Sequence, residues 1–154
     1  MEGALISWLG PAAGALFTLV VLIAAIGLVG LMISRIGWHA FAARYASDLP
    51  AGEPSFIVRN TRFGGTLASY NNAVRASFLV EGVRLGMLFP FSPGHRPFVV
   101  PWSSVRRAGL TPVLWGQRYV VEIEDEAGTI RLRLPPAAQA AVEARRPGLP
   151  TPRA

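Results

Sequence analysis

The chain has 154 residues, a net charge of +6 and no cysteine, which allows one span and one compact domain and excludes disulfides and thiolate metal sites. All fifteen basic residues are arginine, and together with the many Ala, Gly and Pro residues this points to a GC-rich bacterial genome. The positive charge lies after residue 34 and favours anionic lipid headgroups over nucleic acid as neighbours, because the arginines are spread along strands instead of clustered.

From Pro11 to Ser34 the sequence is apolar, and no charge stands between Glu2 and Arg35. About 20 such residues cross a hydrocarbon core. A secretory signal has a core of about 7–15 residues behind a basic flank; this run is longer, and its flank holds only Glu2. Residues 1–34 are therefore expected to contain a single retained transmembrane helix. Arg35 and Arg44 follow it, which predicts an outside N-terminus and a cytoplasmic domain at a bacterial inner membrane. The expected interface anchors are Trp8, Arg35, Trp38 and Arg44. Gly10 and Gly14 have the GxxxG spacing that allows a weak homodimer through the helix, although such glycines also fit ordinary lipid-facing composition.

Residues 35–54 read as a juxtamembrane helix and linker. Trp38, Phe41, Ala42 and Tyr45 form one helical stripe that either docks on the following domain or meets the bilayer surface. The Pro- and Gly-rich segment from Leu49 to Pro54 then stops the helix. From Ser55 to Leu134 the period changes to two. Asn72 to Phe89 reads as a hairpin with Glu81-Gly82 as its turn, pairing Val80 with Val83, Phe78 with Leu85, Ala76 with Met87 and Val74 with Phe89. A second hairpin through Asp125–Gly128 pairs Tyr119 with Leu134, Val121 with Leu132 and Ile123 with Ile130, and sets Glu122 beside Arg131. The expected core is Val74, Phe78, Leu85, Met87, Phe89, Val121, Ile123, Ile130 and Leu132. Further strands are expected at Ser55–Asn60, Phe98–Val100 and Val105–Leu110. A short helix follows Pro135 and ends near Arg146, closing a domain of residues 55–146. Residues 147–154 read as a flexible tail.

The run from Val83-Arg84-Leu85 to Phe98-Val99-Val100-Pro101-Trp102-Ser103-Ser104-Val105, with two strands and a helix after it, resembles bacterial PH-like or GRAM-like domains. In those domains an apolar strand leads into an I-P-W-x-D-I element; here Ser104 stands where an acidic residue is common. The whole chain also resembles small bacterial proteins with one N-terminal helix and such a domain. The resemblance covers roughly residues 35–145. It implies an α+β, mainly β fold: an antiparallel roll of about seven strands with a C-terminal helix. It implies a fold more than an activity.

Residues with catalytic chemistry are sparse. His39 sits beside the membrane helix and His95 lies in a Pro-Gly turn with no carboxylate near it in sequence. A nucleophilic triad would have to draw Ser103 or Ser104, His95 and Asp125 from separate elements, without a nucleophile-elbow motif. Glu122, Glu124, Asp125 and Glu126 lack the spacing of a calcium loop, and Gly64-Gly65 lacks the lysine and helix of a phosphate loop. No catalytic, cofactor or metal residues are assigned. Arg96, Arg106, Arg107 and Arg118 are expected near loops or strand ends, and Arg96, Arg106 and Arg107 with Trp102 form a candidate contact for a protein partner or lipid; the plainer readings, which weigh more, are surface charge and, for Trp102, core packing. The expected function is a non-enzymatic, single-pass membrane protein that presents its β-domain to a membrane or cytoplasmic protein partner, or scaffolds one. The alternatives are sensing of anionic headgroups and, further off, a small enzyme.

Overall fold

The computed structural model describes residues 2–66 and 69–152, and their side chains from Ala12 onward except Ile33. Trp8 and Gly10 lie outside the described side chains. Helix α1 spans Glu2–Ser34, and over Ala12–Met32 it is long and apolar enough to cross a membrane. Its apolar residues point in every direction and almost all of them are exposed, Phe17 at 70% and Met32 at 64% among them. That is the pattern of a helix that meets an apolar surrounding on all sides.

Gly37 then turns the chain with a φ of +91°, and helix α2 covers Trp38–Tyr45. A Cβ on Gly37 would lie 2.7 Å from the Phe63 Cβ, so the turn needs glycine for both its backbone and its space. The stripe Trp38, Phe41 and Ala42 is buried, which resolves its two readings in favour of protein contact. The segment after α2 runs beside the strands: the Ser47 N–H donates to the Pro97 carbonyl at 3.0 Å, and the Arg84 Nε donates to the Leu49 carbonyl at 2.7 Å.

The strands are β1 (Ser55–Val58), β2 (Asn60–Phe63), β3 (Ser69–Tyr70), β4 (Val74–Phe78), β5 (Gly82–Met87), β6 (Phe98–Pro101), β7 (Val105–Val113), β8 (Gly116–Asp125) and β9 (Gly128–Leu134). They form two antiparallel sheets, ordered β1-β4-β5-β6 and β3-β2-β9-β8-β7. The chain crosses from one sheet to the other at Arg59, back again between β3 and β4, and a third time through a 3-10 turn at Trp102–Ser104. These corners let the two inner faces share one core. Nine strands replace the expected seven or so, for two reasons. The bend at Arg59 divides one extended stretch between the sheets, and the polar pair Ser69-Tyr70 carries no apolar alternation that would mark a strand.

The first hairpin differs from its expected register by two residues. Phe78 pairs with Val83, Ala76 with Leu85 and Val74 with Met87, with Val80-Glu81 in the turn. Gly82 is drawn into the strand because the β6 backbone packs against it: the Val100 carbonyl occupies the place of a Cβ. A slip of one residue would have turned the apolar set outward, whereas a slip of two keeps its face. Val74, Phe78 and Leu85 are accordingly in the core and Met87 packs against it. Phe89 falls beyond the strand end and is 89% exposed, so it is no core residue; Val80, in the turn, is 71% exposed.

The second hairpin has the expected register throughout, and Val121, Ile123, Ile130 and Leu132 are buried. On its outer face Glu122 forms ion pairs on two sides, with Arg131 Nε at 3.4 Å and Arg107 Nη1 at 3.8 Å. Helix α3 is shorter than expected, Ala138–Glu143, and buries Ala138 and Val142. The tail is held down through Pro152 instead of free. Leu149 packs on the core and the Pro150 carbonyl accepts from the Ala108 N–H at 3.0 Å, covering the edge strand β7.

Two substitutions test the first hairpin. Phe78→Ala should destabilise the detergent-solubilised chain by about 3–5 kcal/mol in a denaturant titration, as for other deleted buried rings. Phe89→Ala should change it by less than about 0.5 kcal/mol. Gly37→Ala should cost more than about 1 kcal/mol, since the new methyl group meets both a positive φ and the Phe63 ring.

Candidate functional site

The four candidate contact residues divide between two places. Arg96 lies on the loop before β6, exposed, with its Nη2 3.9 Å from Asp48 Oδ1. Arg106 and Arg107 lie on β7 in the other sheet and line one shallow cleft with Glu122 and Glu124, so nearby acids offset their charge. Trp102 is partly buried and tied into the fold. Its Nε1 donates to the Leu79 carbonyl at 2.9 Å, its ring stacks on Phe78 at 6.1 Å, and its own carbonyl accepts from Arg146. Geometry gives it the core-packing role.

Of the expected interface anchors, Trp38 is fully buried. Its Nε1 donates to the Arg96 carbonyl at 2.9 Å, and its ring meets Phe63, Tyr70, His95 and Phe98 edge-on at 4.9–6.0 Å. It cannot reach lipid because the protein has already enclosed it. Arg35 is exposed just after α1. Arg44 points to the β8–β9 turn, with Nη1 2.7 Å from Glu126 Oε2.

The residues of the hypothetical triad separate. Ser104 Oγ donates to Asp125 Oδ2 at 3.0 Å, but His95 is engaged elsewhere. Burial pushes the Tyr70 phenol up to about 12, so it stays protonated and donates to His95 Nε2, 3.2 Å away. The opposite ring nitrogen, Nδ1, then carries the proton and donates to the Pro93 carbonyl at 3.1 Å. Burial holds the imidazole below its ordinary value and therefore neutral at pH 7. Both nitrogens serve packing of the loop. His39 is exposed on α2. Among the described residues no group of three or more His, Asp or Glu gathers as a metal site.

Two surfaces away from these four candidate contact residues are better formed. The first is the β7–β8 turn. Leu114 is 89% and Trp115 84% exposed, and both line a cleft of about 250 Å³ with Arg59, Arg118 and Arg133. No acid lines it. The local signal was present: after Val113, Leu114-Trp115 occupies a hairpin turn where polar residues are usual. The second is a cleft of about 290 Å³ lined by Arg75, Arg84, Leu88, Phe89 and His95, again without an acid. Burial, and then the neighbouring positive charge of Arg75, lowers Arg84 from its ordinary value. An anion placed between the two guanidiniums would relieve that repulsion.

Asp125 is held by three hydrogen bonds. It accepts from the Tyr45 hydroxyl at 2.6 Å, the Ser104 hydroxyl at 3.0 Å and the Ala127 N–H at 3.3 Å. The Tyr45 bond is the main reason that its pKa lies below the usual carboxylate range. A depressed carboxylate stabilises the fold above its unfolded pKa, about 3.9, and loses that contribution as pH falls through the folded value. Asp125→Asn should therefore cost about 1–2 kcal/mol at pH 7, a difference that narrows as the pH falls below about 3.9 and through the folded value, in thermal unfolding followed across pH. Compared with family models, with curated proteins and with solved structures, the chain matches none.

Proposed function

We propose that this is a non-enzymatic, single-pass protein of a bacterial inner membrane, with α1 as the span and a PH-like β-domain on the cytoplasmic side. The domain docks a protein partner whose contact surface is acidic with an apolar centre. The observation that carries this reading is the β7–β8 turn, where Leu114 and Trp115 stand exposed among Arg59, Arg118 and Arg133. Tryptophan and arginine dominate the energetics of protein interfaces, and a ring of arginines without an internal acid is complementary to carboxylates. The span is supported by the exposed apolar surface of Ala12–Met32, and the orientation by Arg35 and Arg44. The PH-like reading is supported by two antiparallel sheets followed by a C-terminal helix. A second reading, recognition of an anionic headgroup, is favoured by the acid-free cleft between Arg75 and Arg84.

The chain should stay in the membrane pellet through a carbonate wash, and release by the wash would end the anchor reading. A photo-crosslinking residue at Leu114 in intact membranes should capture a protein carrying an acidic segment, while one at Val80, also exposed, should not. Trp115→Ala should weaken binding to that partner by about 2 kcal/mol, roughly thirtyfold in Kd. Replacing Arg59, Arg118 and Arg133 with Gln should remove the salt dependence of binding. Capture that is equal from both positions and indifferent to these substitutions would exclude the turn as the docking surface; crosslinks to lipid alone would favour the headgroup reading.

A further inference from the structure

We propose that the Leu88–Pro93 loop is a second membrane contact, in which Phe89 and Phe91 enter the leaflet next to the end of α1. This rests on α1 being a membrane span. The loop is seated against that helix at the level of its last apolar turn. A Cβ on Gly30 would lie 3.7 Å from the Pro93 carbonyl, and one on Gly94 would lie 3.4 Å from the Leu31 Cα and 3.2 Å from Ser34 Oγ. Gly30 precedes Met32, the end of the apolar span, by two residues, about 3 Å along the axis. The domain therefore touches the helix where hydrocarbon gives way to headgroups.

At that level the loop is apolar. No charge stands between Arg84 and Arg96, and the sequence reads Leu88-Phe89-Pro90-Phe91. Phe91, half exposed, lines a groove together with Gly30. Phe89 is 89% exposed and has left the sheet, so the protein offers it no cover. In water such a pair of rings is unfavourable, whereas aromatic side chains are at home at the bilayer interface. The occupant follows from position: a surface pressed to the last turn of a spanning helix faces lipid. Arg75 and Arg84 border Phe89 in the same cleft, which brings them towards headgroup phosphates once the ring is inserted. Anchored at two points, the domain is held in one orientation instead of swinging on α1.

The absence of cysteine makes the test direct. Phe89→Cys, Leu22→Cys and Val80→Cys chains, each labelled with an environment-sensitive fluorophore, are reconstituted at full length in phosphatidylcholine–phosphatidylglycerol vesicles. Position 22 reports the span and position 80 the aqueous side of the domain. The label at 89 should resist iodide and lose emission to lipids spin-labelled high in the acyl chain. The label at 22 should resist iodide and lose emission to lipids spin-labelled deep in the chain, and the label at 80 should be open to iodide and indifferent to both lipids. Iodide quenching at 89 with lipid quenching kept at 22 would overturn the loop contact and leave the anchor standing. Iodide quenching at 22 would overturn the anchor, and the loop contact with it. Protection at 89 from both quenchers would assign the loop to protein cover and also overturn the inference. Position 89 is open to solvent, so the substitution should leave the unfolding transition where it is; a repeat at Phe91 keeps the test decisive if it does not.

Discussion

The burial of Trp38 is the interaction on which the arrangement of this chain depends. The indole sits one residue after the Gly37 turn, so enclosing it fixes where the apolar helix ends and the β-domain begins. Four rings surround it, and aromatic pairs of this kind contribute roughly 0.5–1.5 kcal/mol each beyond their buried area. The Arg96 carbonyl satisfies its N–H, which otherwise would be costly to bury. Because Arg96 belongs to the same loop as Pro93 and Gly94, one tryptophan positions both the domain and the segment seated on α1.

The same cluster explains why His95 takes part in packing. A histidine held between a tyrosine hydroxyl and a backbone carbonyl has no free nitrogen for proton transfer, and its neutral form suits the apolar surroundings. Asp125, at the opposite end of α2, is satisfied by Tyr45 and Ser104. These contacts hold α2 at its two ends.

Charge on the domain separates into paired and open sets. Glu122 is shared by Arg107 and Arg131 across three adjacent strands, and Glu124 lines the same cleft. Around Trp115, and again beside Phe89, arginines stand with apolar side chains and without acids. Counting arginines cannot distinguish these environments, because pairing depends on which strands become neighbours. The residues chosen from sequence, Arg106 and Arg107, lie beside Glu122 and Glu124, whereas Arg59, Arg118 and Arg133 come together from two separate strands and a corner.

Local periodicity determined the apolar helix, the α2 stripe, the strand-rich character and the complete register of the β8–β9 hairpin, since each depends on residues close in sequence. It also determined the inward face of β4 and β5, because an even slip preserves side-chain direction. Where the strand ended was decided elsewhere: the alternation Leu85, Met87, Phe89 reads as one strand, yet the chain leaves the sheet after Met87 and turns, with the Phe91 N–H donating to the Leu88 carbonyl. Whether the Trp38 stripe meets lipid or protein, and which sheet each half of residues 55–63 joins, likewise required partners distant in sequence. Local pattern sets which way a side chain points; only the packing of the two sheets sets what it meets there.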